Sequence, residues 1–447
     1  MRINCFSDFI KDDFTSLLAA VGLDAELLHR MALDAEWIRR LPRKINALGL
    51  FIAVCSEALR GTASYNGIAA AIDAGGGGAP SRQAVARRMN GACLRLFEDI
   101  LARAIHFRVA PALVPAGSGF LARYSRVLVQ DSTIVKLPAW LFDAFSGVSN
   151  AHGPVCNGRI QAVYDLRNMD FVSFSIDSYS RNDLAAAPSL EVLPGDLVLR
   201  DRGYLTADEI ARHVAAGADC IYRHKTGTIY LDPETREPVD LLALLRRDGH
   251  LDMTVLLNDA ARTPVRLVSA PVDEETAGRR RMKARKETRG HAPSAAVLAL
   301  MDWTIFITTI ARGDADFGRI LAVYGLRWRM ETIFKAWKSH LNFGAIHRVS
   351  EIQLRITLSA RLFAITVCAS VLHAGCRARL ARFHGARLSL LKFLEYLNAH
   401  PGQMAAICRS LDGEEHAEAP IWKSLRRYCC HDKRIRRNFD QMYDALA

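Results

Sequence analysis

No stretch of this 447-residue sequence reaches the ~20 uninterrupted apolar residues that a membrane span requires. The nearest, Leu362 to Gly375, is short, follows Arg361 and is interrupted by His373, so no membrane partner is expected. Met1 to Phe14 lacks the basic region, apolar core and small-residue cleavage site of a signal peptide and carries three Asp instead, which argues against secretion. The ten cysteines form no Cys-x-x-Cys pair, so neither a zinc ribbon nor a thiol redox motif is present. A reduced cytosolic chain is expected, because a sequence this long can build its core without disulfide staples. Internal repeats and long low-complexity segments are missing too. Acidic residues are the minority: 47 Asp and Glu against 59 Lys and Arg leave a net charge of +12, which points to a polyanionic partner, with nucleic acid the first choice. Half of the residues are hydrophobic, enough for a sizeable core in two to four domains of roughly 100–200 residues.

The first 118 residues read as a helical domain, with apolar residues at helical spacing in Phe14 to Met31 and Ile45 to Leu59. After the glycine run Gly75 to Gly78, Ser81 sits where an N-cap belongs, and Val85, Met89, Cys93, Leu96 and Ile100 mark one face of a further helix. Arg82, Gln83, Arg87 and Arg88 occupy its other side, which suits either a helix-turn-helix reader of a DNA groove or an ordinary solvated face. Residues 119–225 change to short strands, Val127 to Gln130, Ile160 to Leu166, Phe171 to Ile176, Leu197 to Arg200 and Cys220 to His224, with helices around Leu184 to Val192 and Thr206 to Ala216. That order fits a ribonuclease-H-like α/β fold, one topology among several. Residues 226–300 read as a β-rich insertion, with strand-prone runs Val239 to Leu245, Met253 to Leu257 and Val265 to Val268. It ends in a cationic run, Arg279, Arg280, Arg281, Lys283, Arg285, Lys286 and Arg289, expected to be a loop that is either solvated or laid on phosphates. Residues 301–375 return to the core through a strand, Trp303 to Ile310, a long helix from about Phe317 to Asn342, and a second helix, Ile352 to His373, expected to pack on it. The remainder, 376–447, is helical and ends with Lys423, Arg426, Arg427, Lys433, Arg434, Arg436 and Arg437.

Asp131 follows the apolar run Val127 to Val129, and Asp201 follows Leu197 to Leu199, so each carboxylate is expected at the carboxyl end of a buried strand. If the strands are neighbours the two converge, and oxygen-only ligands are what Mg²⁺ or Mn²⁺ selects. Taken alone, an Asp at a strand end is more often a turn or helix cap. Tyr324, Arg327, Glu331 and Lys338 fall within roughly 60° of one another on a helix, making one polar stripe. Leu326, Met330, Ile333, Trp337 and Leu341 make an apolar stripe roughly opposite. A solvent-side salt-bridge ladder would need neither the phenol nor the tight angular clustering.

Asp131-Ser132-Thr133, Asp201-Arg202-Gly203-Tyr204 and Tyr324-x2-Arg327-x3-Glu331-x6-Lys338 resemble the three catalytic signatures of the DDE transposases of bacterial insertion sequences, in the insertion-sequence-four group. The resemblance covers about residues 120 to 345. It implies an α/β chain with a ribonuclease-H-like catalytic core, interrupted by a β-rich insertion between the second Asp and the Glu; the preceding helical N-terminal domain, expected to bind DNA ends, and the helical, basic C-terminal region are assigned by position alone. It also implies that Asp131, Asp201 and Glu331 hold two Mg²⁺ ions, with Mn²⁺ able to substitute, for water attack at an element end and later attack of the freed 3′-OH on target DNA. Arg327, Lys338 and Tyr324 would then hold phosphates, with Arg202 either doing likewise or capping the following helix. With DNA as the polyanionic partner, Arg279, Arg280 and Arg281 of the cationic run would contact its backbone, the alternative remaining a solvated loop. Trp303 and Trp328 would stack an unpaired base beside the nick, or pack in the core. The partners implied are double-stranded DNA, as terminal inverted repeats and target, and a second copy of the chain in a synaptic homodimer. The location implied is the bacterial cytoplasm, at the nucleoid. A ribonuclease-H-like nuclease without strand transfer and a catalytically idle DNA-binding descendant are the competing readings.

Overall fold

The computed structural model describes residues 18–447 except 20, 40–43, 62, 77, 108–118, 148–154, 181–189, 288–291, 347–348, 401, 413–419 and 432–438. Met1 to Phe14, the first part of the expected helix near Leu184, Arg289 and the tail cations Lys433, Arg434, Arg436 and Arg437 therefore lie outside the described residues.

Among the described residues the N-terminal part holds helices α1 (Ala25–Asp34), α2 (Ala47–Arg60), α3 (Tyr65–Ala74), α4 (Arg82–Arg88) and α5 (Gly91–His106). Strands β1 (Arg126–Lys136), β2 (Asn157–Asp165), β3 (Asp170–Ser178) and β4 (Asp196–Arg200) follow, then α6 (Ala207–Ala215), β5 (Asp219–Arg223) and β6 (Tyr230–Leu231). Next come α7 (Leu241–Asp248), β7 (Leu251–Leu257), β8 (Pro264–Pro271), α8 (Glu274–Glu287), α9 (Ala295–Ala299) and β9 (Trp303–Thr308). The last third holds α10 (Phe317–Gly325), α11 (Trp328–His340), α12 (Glu351–Thr366), α13 (His373–His384), α14 (Leu390–Ala399), α15 (Gln403–Asp412), α16 (Pro420–Tyr428) and α17 (Phe439–Asp444). Side chains of Asp24, Asn46, Ser64, Ser81 and Asn90 each accept a first-turn backbone N–H, so five short polar residues set where the N-terminal helices begin.

The chain divides into two compact units. The first contains Met1–Ala116, Ser132–Pro188 and Arg329–Asp440. Its axis is α12, which packs on α5 and α2. Phe363 meets Phe51 edge-on at 4.9 Å. The buried Arg361 donates to the carbonyls of Ala58, Phe343 and Ala345, tying α12 to the end of α2 and to the loop after α11. Glu351–His384 is long and apolar enough to cross a membrane by length and composition, contrary to the expectation from sequence, but its apolar window is wholly buried within the protein. The helix that the sequence predicts through Val85 and Ile100 is two, split at Met89–Asn90, where Asn90 caps α5. Arg88 is taken into the fold, donating to the Trp37 carbonyl at 3.1 Å and lying over the Trp37 ring, whereas Arg82, Gln83 and Arg87 stay exposed. β2 and β3 form an antiparallel hairpin, and Phe171 and Phe174 of β3 pack with Phe334 and Phe343 around Trp337 of α11.

The second unit contains Gly117–Asp131, Ser189–Trp328 and Gln441–Ala447. Its mixed sheet has the order β1-β4-β5-β9-β8-β7-β6. β1, β4 and β5 run parallel, and the other neighbours pair antiparallel. The insertion's strands β7 and β8 thus extend the sheet through β9, and among its described residues the insertion also carries helices α7, α8 and α9. Val239 to Leu245, read as strand-prone, belongs mostly to α7, because Asp240 caps a helix there and Leu241 and Leu245, four apart, are its buried face. Leu190 to Val192, within the segment expected to be helical, is irregular.

Candidate active site

β1 and β4 are paired from Arg126↔Asp196 to Gln130↔Arg200. A bidentate ion pair pins the start of that ladder, with Arg126 Nε 2.9 Å from Asp196 Oδ1 and Nη2 2.6 Å from Oδ2. One residue beyond the other end stand Asp131 and Asp201, on strands ~4.8 Å apart. Asp201 keeps an extended backbone (φ −78°, ψ 166°), so alternation turns both carboxylates to the face of Val127, Val129, Leu197 and Leu199. The two strands are therefore neighbours, the condition on which the expected convergence depends. The sequence misplaces Asp131 in one respect, since β1 does not end there but continues to Lys136.

Two donors close on this pair. Arg327 Nη1 is 2.6 Å from Asp131 Oδ2, with the two side chains only 11% and 19% exposed. Tyr324 donates its hydroxyl to Asp201 Oδ1 at 3.1 Å. Phe306 of β9 lies 4.9 Å from the Tyr324 ring, and the Arg327 guanidinium carbon 5.9 Å from it. Burial and the Asp201 charge push the phenol well above the ordinary tyrosine range, so it stays a donor. The single long helix predicted over Phe317 to Asn342 is instead α10 and α11, separated by Leu326–Arg327, whose backbone N–H groups bond to Val323 and Tyr324 in tightened i−3 fashion. Arg327 thus lies on a turn, not within a helix.

Glu331 and Lys338 occupy exposed positions of α11, in the first unit, with Glu331 in the first turn. Desolvation holds the Lys338 ammonium below the usual lysine value. The apolar stripe is as expected: Leu326, Met330, Ile333, Trp337 and Leu341 are buried. Among the described residues no group of three or more His, Cys, Asp or Glu is gathered closely enough to hold a metal ion. Asp131 and Asp201 do form an oxygen-only pair on adjacent strands, the donor type that hard divalent cations prefer.

Arg202 is exposed in a 3₁₀ turn after β4, and the following helix is capped by Thr206, which removes the capping alternative for Arg202. Trp328 is 67% exposed. Trp303 is half-buried and donates its indole N–H to the Gly249 carbonyl at 2.7 Å. The basic run expected as a loop is helix α8 up to Glu287, started by two acidic residues. Arg280 donates to the Trp303 carbonyl at 3.0 Å and to Thr304, Arg281 is paired with Asp302 and Glu274, and Arg279 bonds Thr276 at 3.1 Å.

Behind β4 lies a buried polar cluster that reading the sequence missed. Arg200, immediately before Asp201 and on the opposite face of β4, is fully buried. Its Nη1 lies 2.5 Å from Glu209 Oε2 and 3.4 Å from the Tyr222 hydroxyl, which is 2.8 Å from His213 Nε2. Burial, reinforced by Arg200, pushes His213 down to about 4. The only sequence signal was a cation closing an apolar strand, with a carboxylate in the next helix to meet it.

The transposase for insertion sequence element IS231B of Bacillus thuringiensis subsp. berliner is 26% identical over 276 residues, 56% of this chain and 57% of its own length, so the chain spans little more than half of that relative. The transposase for element IS231D of Bacillus thuringiensis subsp. finitimus is 24% identical over 78% of both chains. A piggyBac transposase in a synaptic complex with hairpin DNA aligns over 97% of this chain and 88% of that one, with 9% identity and a TM-score of 0.46. The profile described as "Transposase DDE domain" matches residues 125–367, more than half of the chain and a stretch that takes in Asp131, Asp201, Tyr324, Arg327, Glu331 and Lys338, so the chain belongs to the transposase DDE domain family.

Proposed function

We propose that this chain is a DNA transposase of the insertion-sequence-four group that moves an insertion sequence by cut and paste. The observation that carries the reading is the placement of Asp131 beside Asp201, with Arg327 and Tyr324 of the signature held on them. The parallel strands β1, β4 and β5 and the antiparallel hairpin β2–β3 support a ribonuclease-H-like core. Asp131, Asp201 and Glu331 are assigned to two divalent cations, Mg²⁺ or in its place Mn²⁺, which when bound supply charge stabilisation at the attacking and leaving oxygens of an in-line phosphoryl displacement. Glu331 enters on the strength of the signature and of its place four residues after Arg327 along the chain.

Around that centre the chain's own groups orient DNA. Arg327 offers a planar fork and Lys338 a point charge for phosphates next to the scissile bond. The Tyr324 hydroxyl and the exposed Arg202 hold neighbouring phosphates. Trp328, exposed at the start of α11, is the better placed platform for a base beside the nick, because Trp303 is half-buried with its indole N–H on the Gly249 carbonyl. Arg279 and the cations beyond it on α8 contact the backbone, while Arg280 and Arg281 chiefly secure the helix. The N-terminal helices, with Arg82, Gln83 and Arg87 exposed, read the element end, and a homodimer synapses two ends at the bacterial nucleoid.

The test is incubation with a labelled element end and Mg²⁺, the end being identified from inverted repeats flanking the coding region. Cleavage followed by joining to target DNA supports the transposase. Cleavage without joining would make it a nuclease, and a gel shift without cleavage a DNA-binding descendant.

A further inference from the structure

We propose that Arg327 is a latch on the cation site: in the DNA-free protein its guanidinium occupies Asp131, and the phosphate that draws it away frees that carboxylate for the metal. This rests on the reading of Asp131 and Asp201 as metal ligands. A charge-assisted bond of 2.6 Å between groups 11% and 19% exposed is a withdrawn pair and not a screened surface contact. The lone pair that accepts from Nη1 is not available to a cation, and a guanidinium held there repels a divalent ion on the carboxylate's other oxygen as well. Asp201 is held in the same manner, more weakly, by the neutral Tyr324 hydroxyl at 3.1 Å.

The placement of Arg327 makes release feasible. It sits on the Leu326–Arg327 turn between α10 and α11, so its side chain can be redirected without unwinding either helix. A DNA phosphate competes for it well, because the guanidinium fork meets phosphate oxygens bidentately. Phosphate and metal then bind with positive coupling. By linkage, the factor by which DNA tightens metal binding equals the factor by which metal tightens DNA binding. The consequence is a site that loads its cation preferentially when a strand is present.

The experiment is Mn²⁺ binding to the full chain, followed by loss of the free-ion electron paramagnetic resonance signal, with and without a short duplex of arbitrary sequence at low ionic strength. Arg327→Gln is expected to bind Mn²⁺ about tenfold more tightly than the wild type in the absence of DNA. The duplex should tighten binding to the wild type by about the same factor and hardly at all to the variant. Arg327→Lys, which keeps the charge without the fork, should fall between, and circular-dichroism melts establish that each variant is folded. If Asp131→Asn and Asp201→Asn weaken Mn²⁺ binding while Arg327→Gln leaves it unchanged or weaker, the latch is wrong and the metal site stands. If the two Asn variants bind Mn²⁺ like the wild type, the metal reading fails and the latch with it.

Discussion

Asp131 and Asp201 owe their adjacency to register, and the register owes much to Arg126 on Asp196 at the far end of the same ladder. A one-residue slip would turn one carboxylate to the opposite face, where Gln130 and Arg200 are buried. The proposed roles divide cleanly between carboxylates that hold metal and cations that hold DNA. Asp131→Asn, Asp201→Asn and Glu331→Gln are therefore expected to abolish cleavage of a labelled end while binding, read by gel shift, stays within a few-fold of the wild type. Full cleavage by any one variant would remove that residue from the site. At this scale the sequence was informative, since apolar runs ending in Asp and the Tyr-Arg-Glu-Lys spacing are local patterns. What it could not carry is what a carboxylate touches: the Arg327 bond to Asp131 spans 196 positions along the chain. The Arg200 network was equally hidden, because its partners Glu209, His213 and Tyr222 come from a helix and a neighbouring strand.

At the scale of elements, most strands stand where the apolar runs put them, and the departures share a physical cause. Local capping overrode periodicity at Asp240, which turns a β-prone run into α7, and at Asn90, which starts α5 within one continuous apolar face. In α8 the cations are held both by the helix's own first turn, Glu274 for Arg281 and Thr276 for Arg279, and from elsewhere in the unit: Thr304 and the Trp303 carbonyl for Arg280, Asp302 for Arg281. The salt dependence of DNA binding should therefore come from the exposed positions only. Replacing Arg279, Arg285 and Lys286 with Ala is expected to flatten the log–log salt slope by about 0.9 per lost phosphate contact. Arg280→Ala should instead lower the melting temperature and leave that slope alone; the reverse pattern would mean that Arg280 leaves its carbonyls for DNA. The same contrast applies to the tryptophans. Trp328→Ala is expected to keep first-strand nicking and lose hairpin formation on denaturing gels, with substrates lacking the flipped base partly restoring it, since stacking is worth about 1–3 kcal/mol per base. Trp303→Ala should show chiefly as lost stability, through Gly249. A wild-type reaction that never passes through a hairpin would return Trp328 to another duty.

For the whole molecule, the net charge of +12 and the balance of helix and sheet were legible from composition and pattern, whereas the division into two units was not. Each unit is assembled from stretches far apart in sequence, and α12 gathers α2 and α5 by contacts such as Phe51–Phe363 that no local pattern announces. That style of assembly buries titratable groups in both units and sets the response to acid. His213 lies among Arg200, Glu209, Arg212 and Tyr222 and is held down at about 4 by burial and by Arg200. His373, facing Arg329, Arg377 and Asp440, is held at about 3 by burial first and then by Arg329. Both are neutral in the folded protein and titrate near 6.5 when unfolded. Between those values the unfolded chain binds more protons, so the stability they contribute is complete above pH 6.5 and is lost as pH falls toward 4. Asp440, held at about 2, contributes stability that is complete above the ordinary aspartate value of about 3.9 and is lost only below that window, so it does not offset the loss. Each histidine should cost roughly 2 kcal/mol by pH 5, a substantial share of an ordinary folding free energy. Urea melts at pH 7.5, 6 and 5 are expected to show a steep fall, and His213→Gln, which keeps a polar group near Tyr222 but cannot take up the proton, should make it shallower. A fall equally steep in His213→Gln would show that the Arg200 cluster does not govern the acid response.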